Sequence, residues 1–259
     1  MEWGKEFLKA LILKTCSSWL QHKVRRFYLA RQVLQNRNYH EAEIGLLKLM
    51  IFPGDSVADV GANAGVYTME LSSLVGASGQ VFSFEPVSEN YDILETVIRR
   101  AHLSNVRSFG AALGSTLGQR EIAIPDLGAF TGYYWAHFAK TGEPGRREMV
   151  DVLTLDELWK QNIIRCLDFI KCDVEGSELE VIRGGLGLIQ SQRPGWLLEV
   201  SREASGELFC VLKNLGYRVF VYDKKLIPTK SYRDGEFSNY FFFHPESKIW
   251  RRVLPHLQA

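Results

Sequence analysis

The 259-residue chain has only four cysteines, Cys16, Cys166, Cys172 and Cys210, and no Cys-x-x-Cys pair among them. That excludes a small-domain disulfide framework, argues against structural zinc and suits a reducing compartment. The six histidines, His22, His40, His102, His137, His244 and His256, show no ligand spacing, so no metal centre is expected. An excess of one charge is also missing. Thirty-one Lys and Arg against 30 Asp and Glu leave a net charge of +1, so no overall field favours nucleic acid and no nucleic-acid partner is expected. Long apolar runs are absent too. Near the start, Phe7 to Leu13 is broken by Lys9, is too short to span a bilayer and has no small-residue cleavage site after it. The expectation is a cytoplasmic protein. There is no internal repeat and no low-complexity tract.

What remains is ordinary globular material, 46% hydrophobic and 24% charged. It suffices for one α/β domain of about 200 residues with an appendage. Residues 1–50 read as helical, because Trp3, Phe7, Leu8, Leu11, Ile12, Val24, Phe27 and Tyr28 recur at helical spacing with Lys and Arg between them. Two readings stay open. The segment is a cap or lid packed on the main domain, or its basic face, Lys14, Lys23, Arg25, Arg26 and Arg31, makes peripheral contact with a membrane. Its apolar stripe would equally serve a homodimer.

After Pro53-Gly54-Asp55 short apolar runs alternate with helical segments: Ser56 to Val60, Gln80 to Phe84, Val106 to Phe109, Leu167 to Cys172 and Gly195 to Val200 are the strands. This predicts βαβ units on a parallel sheet. Arg218 to Tyr222 and Tyr240 to Phe243 are predicted to close it. Ala111 to Ile124 suggests a turn and an extra strand, and Gly128 to Gly145 a long polar and aromatic loop. Its stretch Thr131 to Phe138 would supply an apolar wall or, in His137, a base.

The first chemistry-bearing segment is Val57-Ala58-Asp59-Val60-Gly61-Ala62-Asn63-Ala64-Gly65, a buried strand that runs into a glycine loop. Gly61 permits a sharp turn, Gly65 a close approach of the helix to a ligand, and Asn63 tolerates left-handed geometry. A dinucleotide fingerprint GxGxxG would need glycine where Asn63 and Val66 stand, which weakens an NAD reading. The spacing Asp59, Gly61, Asn63, Gly65 instead resembles the first motif of class I methyltransferases. Glu85, 24 positions after Gly61 at the tip of the second strand, is placed to accept ribose hydroxyls. Ala112, at the third strand end, is small enough for adenine to lie against.

The second segment, Ile170-Lys171-Cys172-Asp173-Val174-Glu175-Gly176-Ser177-Glu178, starts as a buried strand and ends in charge. Asp173 and Glu175 should face the same crevice as Gly61 and Glu85, because ligands of open α/β sheets bind beyond the carboxyl ends of the strands. Ser177 reads as an N-cap and Glu178 as a first-turn acid. Neither accounts for Lys171 and Asp173 at the end of an apolar strand.

Together DVGANAGVYT (Asp59 to Thr68), FSFEP (Phe82 to Pro86), LTLDEL (Leu153 to Leu158) and IKCDVEGSELEVIRGG (Ile170 to Gly185) resemble the FkbM family of methyltransferases over residues 41–245. Cys172 departs from the family pattern, where an aliphatic residue is usual. The resemblance implies a Rossmann-like class I fold over residues 51–245. Its sheet would be seven-stranded and mostly parallel, with the last strand antiparallel. The helical segment would precede it and a tail, 246–259, would follow. It implies S-adenosylmethionine as cofactor and a hydroxyl of a sugar, glycolipid or polyketide-like compound as acceptor; Asp173 and Glu199, at the ends of neighbouring strands, would be two carboxylates for a magnesium ion but lack the further ligands it needs, so no metal requirement is expected. Cofactor binding would then fall to Asp59, Gly61, Asn63, Gly65, Glu85, Ala112 and Asp173. Catalysis would fall to Asp173, ahead of Glu175 and Glu199 as the base, with Lys171 orienting it. A catalytically silent scaffold and an NAD-dependent oxidoreductase are the rival readings.

Overall fold

The computed structural model describes residues 18–35, 42–125, 136–139 and 145–257. Lys14, Cys16, Phe7 to Leu13 and Thr131 to Trp135, all singled out above, lie outside the described residues. The chain opens with α1 (Ser18–Gln35) and α2 (Ala42–Met50), followed by β1 (Ser56–Val60), α3 (Val66–Val75), β2 (Gln80–Phe84), α4 (Ser88–Arg100) and β3 (Val106–Phe109). A second group of strands comes next: β4 (Ala112–Leu113), β5 (Gly118–Ile124), β6 (His137–Phe138) and β7 (Arg146–Leu153). Then come α5 (Leu155–Lys160), β8 (Phe169–Cys172), α6 (Glu178–Arg183), α7 (Leu186–Gln192), β9 (Gly195–Glu199) and α8 (Arg202–Asn214). The chain ends with β10 (Arg218–Asp223), β11 (Lys225–Thr229), β12 (Asn239–Phe243), α9 (Lys248–Val253) and a 3₁₀ turn.

The main sheet has the order β11-β10-β12-β9-β8-β1-β2-β3. Strands β3, β2, β1, β8 and β9 run parallel, and β12 lies antiparallel between β9 and β10. These are the seven strands predicted, with the last one reversed. The eighth, β11, is an edge addition that pairs antiparallel with β10 and carries Pro228, a residue that sheets confine to edges and bulges. The central strands β1 and β8 are buried along their whole length, which is why they read as near-continuous apolar runs.

In chain order, between β3 and α5, comes a separate four-stranded sheet, β4-β7-β5-β6. The sequence reading anticipated only one strand there. Contrary to the long loop expected over Gly128 to Gly145, His137 and Phe138 pair with Ala123 and Ile122. The strand β7 was missed: burial alternates over Met149 to Val152, but the exposed apolar Met149 blurs that pattern in the sequence. The helix expected over Glu178 to Ile189 breaks at Gly184-Gly185. A Cβ on Gly184 would lie 1.9 Å from the Gly114 carbonyl oxygen, so the chain turns there and glycine permits the contact.

Helices α2 and α9 pack on one face of the sheet, through Leu46, Leu47 and Met50 and through Ile249, Trp250 and Val253. The stretch 246–259, expected as a tail, thus supplies a core helix. Arg252 and Lys248 from α9 ion-pair with the buried Asp55. Helix α1 packs Ala30 and Val33 against Ala64, Ile93 and Val97. Among the described residues no helix is long and apolar enough to cross a membrane.

Candidate active site

Both glycines of the loop after β1 have left-handed backbones, Gly61 at φ +73° and Gly65 at +91°, and Asn63 joins them at +49°. Loop N–H groups of Gly61 and Ala62 donate to the Phe84 carbonyl at 3.0 and 2.9 Å, which ties the loop to the end of β2. A Cβ on Gly61 would stand 1.8 Å from the Asp173 carbonyl oxygen, so only glycine lets the ends of β1 and β8 meet. Gly65 serves a different contact from the one expected. Its missing side chain makes room for Leu94 of α4, whose Cδ1 would be 2.8 Å from a Cβ there. It therefore seats a helix.

The cavity at the strand ends has a volume of about 190 Å³ and opens to solvent. Of the residues predicted for the site, Gly61, Asn63, Glu85, Ala112, Asp173 and Glu175 line it. Asp59, Gly65 and Lys171 do not. At one end are Pro86, Val87, Ala111 and Ala112; at the other, Asp173, Glu175 and Glu199; the small sheet contributes Ile122, His137 and Phe138. A smaller polar recess shares Asp173 and Glu199 and adds Tyr67, Lys171 and Asn239.

Glu85 is 4% exposed and serves the loop as well as the cavity. Its Oε2 accepts the Asn63 N–H at 2.8 Å, and its Oε1 accepts the Val87 N–H at 2.9 Å. Burial pushes this carboxyl up to about 7, against the opposing pull of those two N–H groups and of Asn90. Asn90 was not singled out in the sequence, where it reads as an ordinary helix residue.

Asp59 is wholly buried beneath the loop. Its Oδ2 accepts the Thr68 hydroxyl at 2.6 Å, and its Oδ1 lies 3.6 Å from Lys171 Nζ. Lys171 donates to the Gly61 carbonyl at 3.0 Å and lies 3.4 Å from Asp173 Oδ2. Burial pulls this ammonium down, but Asp173 and Asp59 outweigh it and hold its pKa above the ordinary lysine value. One buried cation therefore bridges both strand ends and the loop between them.

The carboxylates beyond β8 and β9 are mutually adjusted. Burial opposes ionisation of Asp173, yet Lys171 and a hydrogen bond from Glu199 hold its pKa below the usual range. The same hydrogen bond, and then burial, push Glu199 up to about 8. Lys171 thus favours the charge on Asp173, and Asp173 in turn favours the proton on Glu199. Burial first, then Asp173 and Glu178, raise Glu175 to about 7. Glu175 adopts φ +51° and Gly176 +93°, a turn held by Glu178, whose Oε1 accepts the N–H groups of Val174 and Gly176. Ser177 makes no side-chain cap, and Glu178 instead binds the turn that precedes the helix. One ligand atom from each of Asp173, Glu175 and Glu199 lies within 4.8 Å of the others.

The shift at Glu199 has a testable consequence for stability. A carboxyl whose folded pKa lies above its unfolded one loses stability as pH rises from the unfolded value through the folded one. Glu199→Gln removes that loss, so its thermal midpoint should gain on the wild type between about pH 5 and pH 9. A difference independent of pH would dissolve the shared-proton pair.

Residues 59–219 match the Methyltransferase FkbM domain. The chain belongs to the FkbM family of methyltransferases. The resemblance in sequence implies S-adenosylmethionine as its cofactor. Among solved structures, the FkbM methyltransferase of Methylobacillus flagellatus is similar at 17% identity, with a TM-score of 0.51 over 85% of this chain. The FkbM chain spans 58% of the length of that structure. An S-adenosylmethionine-dependent O-methyltransferase from Thermotoga maritima is similar at 13% identity and a TM-score of 0.46, covering 83% of this chain and 69% of that one. Fibrillarin of Aeropyrum pernix, solved with natively bound S-adenosylmethionine, gives 14% identity and a TM-score of 0.45, with coverages of 78% and 73%. No curated protein matches the FkbM chain.

The cavity's chemistry suits that cofactor. Small apolar residues at one end fit adenine, a carboxylate beside them fits ribose hydroxyls, and carboxylates at the other end fit a cationic sulfonium and ammonium. Neither Lys nor Arg is among the described lining residues, so a dinucleotide pyrophosphate would find no side-chain cation there.

Proposed function

We propose that the chain is an O-methyltransferase, moving a methyl group to a hydroxyl oxygen of a sugar, glycolipid or polyketide-like acceptor. The observation that supports this best is the Asp173–Glu199 pair. The two side chains hydrogen-bond to each other at the junction of the cavity and the polar recess, with Lys171 3.4 Å from Asp173. The cofactor supplies an activated methyl on a positively charged sulfur. The protein's tasks are to align the acceptor oxygen for in-line attack and to take its proton.

In this reading Asp173 accepts the hydroxyl proton as the methyl carbon passes from sulfur to oxygen, with the neutral thioether as leaving group. Lys171 is a positioning residue, fixing Asp173 from one side and the Gly61 carbonyl from the other. Glu199 holds the second proton and keeps Asp173 ionised. Glu175, Tyr67 and Asn239 border the acceptor side, and Phe138 with Ile122 gives it one apolar wall. Gly61, Asn63, Glu85 and Ala112 hold the cofactor, while Asp59 and Gly65 act on the loop from beneath. The domain proper is residues 51–245, completed by helices on both sides.

The test is incubation of the purified protein with S-adenosylmethionine labelled in its methyl group and a panel of hydroxylated acceptors. Label should appear as a methyl ether, and thermal unfolding should shift upward with S-adenosylmethionine and S-adenosylhomocysteine but not with NAD. Saturating ligand at about 100 times its Kd stabilises by about 2.7 kcal/mol. Transfer of label to nitrogen or carbon alone would refute the O-methyl reading.

Glu85→Ala should weaken S-adenosylmethionine by about tenfold or more, because it removes a charge-assisted acceptor and also frees the Asn63 N–H that shapes the loop. Titration calorimetry reads this directly. An unchanged Kd would remove Glu85 from the cofactor site.

A further inference from the structure

The N-terminal charge is not spread like the rest. The first 35 residues hold seven Lys and Arg against two Glu, a net +5, and the remaining residues hold 24 against 28, a net −4. Helix α1 concentrates this, with four basic residues and no acidic one. Its inner face is accounted for by Ala30 and Val33 in the cluster with Ala64, Ile93 and Val97, and by the buried Arg25 paired with Glu89 at 2.7 Å.

The outer face is different. Leu20, Val24, Phe27 and Tyr28 recur at helical spacing there, exposed by 39%, 36%, 50% and 39%. Arg31 continues the same stripe one turn further on, and the Arg100 guanidinium of α4 sits 5.0 Å from the Phe27 ring centroid. Exposed apolar side chains rimmed by cations, on a helix whose opposite face is already packed, match the composition of helices that lie in a bilayer interface. The surface is local, and the chain's overall charge conceals it.

We propose that the outer face of α1 docks on an anionic bilayer surface, with Leu20, Val24 and Phe27 entering the headgroup boundary and Arg31 and Arg100 meeting lipid phosphates. A second copy of this chain is a poorer occupant. An isologous contact would set the basic residues of two identical helices against one another. A docked α1 also bears on the reaction site, since its inner face packs against Ala64 of the glycine loop.

The experiment is flotation of the full-length protein with phosphatidylcholine vesicles, with and without phosphatidylglycerol. Binding should require the anionic lipid and fall steeply with added salt. Arg31→Glu and Phe27→Asp should each weaken partitioning by about tenfold or more. Both sites are exposed, so the S-adenosylmethionine-induced rise in thermal midpoint should stay as in the wild type, which verifies folding. No binding to anionic vesicles, equal binding to neutral ones, or binding unaffected by either variant would each overturn the proposal. So would a lipid-free dimer that Phe27→Asp converts to monomer, which would assign this face to a second copy.

Discussion

Asp173→Asn is expected to lower kcat by about 10²- to 10⁴-fold while leaving the S-adenosylmethionine Kd within a few-fold of the wild type. Asparagine keeps the shape of the side chain and removes the one oxygen that the local field holds ionised. Of the four carboxylates clustered beyond β8 and β9, Asp173 alone has its pKa held below the ordinary value, because Lys171 faces it; Glu175, Glu178 and Glu199 are all raised. The variant relieves like-charge repulsion in that cluster, so the fold should survive. Glu199 would then lose the partner that keeps it protonated, and its pKa should fall towards the ordinary carboxylate range. It therefore inherits a weak form of the role, and Asp173→Asn/Glu199→Gln should fall below the single variant. Single-turnover rates and calorimetry on the same samples separate the two effects. Unchanged turnover with a tenfold loss of cofactor affinity would make Asp173 a cofactor ligand instead of the base.

The placement of the site was readable because its residues violate local patterns. Glycines interrupt an apolar strand at Gly61, and charges close one at Lys171 and Asp173. Such breaks in an otherwise consistent pattern mark functional or strained positions. Which partner each residue serves was not readable. Gly65 has the backbone of a ligand loop but answers to Leu94, 29 positions away. Asp59 belongs to the motif yet lies wholly beneath the loop, because strand alternation turns it from the cavity towards Thr68. In the sheet, the strands that alternate with helices were legible, whereas β7 and β6 were not. Their pairing with β5 depends on partners at both ends of a long connection, and two-residue β6 has no periodicity to detect.

Lys171→Met should be the most destabilising of these substitutions, at about 3–5 kcal/mol, since it strands a buried charge. Asp59 has no solvent exposure, and its Oδ1 has no hydrogen-bond partner, only the ammonium at 3.6 Å. Without that cation Asp59 must take up a proton or remain charged in an apolar surround, and the Gly61 carbonyl loses its donor as well. Burial already pushes the Asp59 carboxyl upward, so protonation is the cheaper response. The variant should therefore recover part of its loss as pH falls, where the wild type, with its cation in place, gains nothing comparable. Asp59→Asn/Lys171→Met tests the same point at neutral pH. If the two residues act as a pair, the double variant is more stable than the sum of the single losses requires, with a coupling of about 1–3 kcal/mol. Additive losses in urea unfolding would mean that Lys171 stabilises the fold through Asp173 and the loop carbonyl alone. Under either result the cation lies under the junction of β1 and β8, so the loop that shapes the cofactor site and the carboxylate proposed to take the proton share one support.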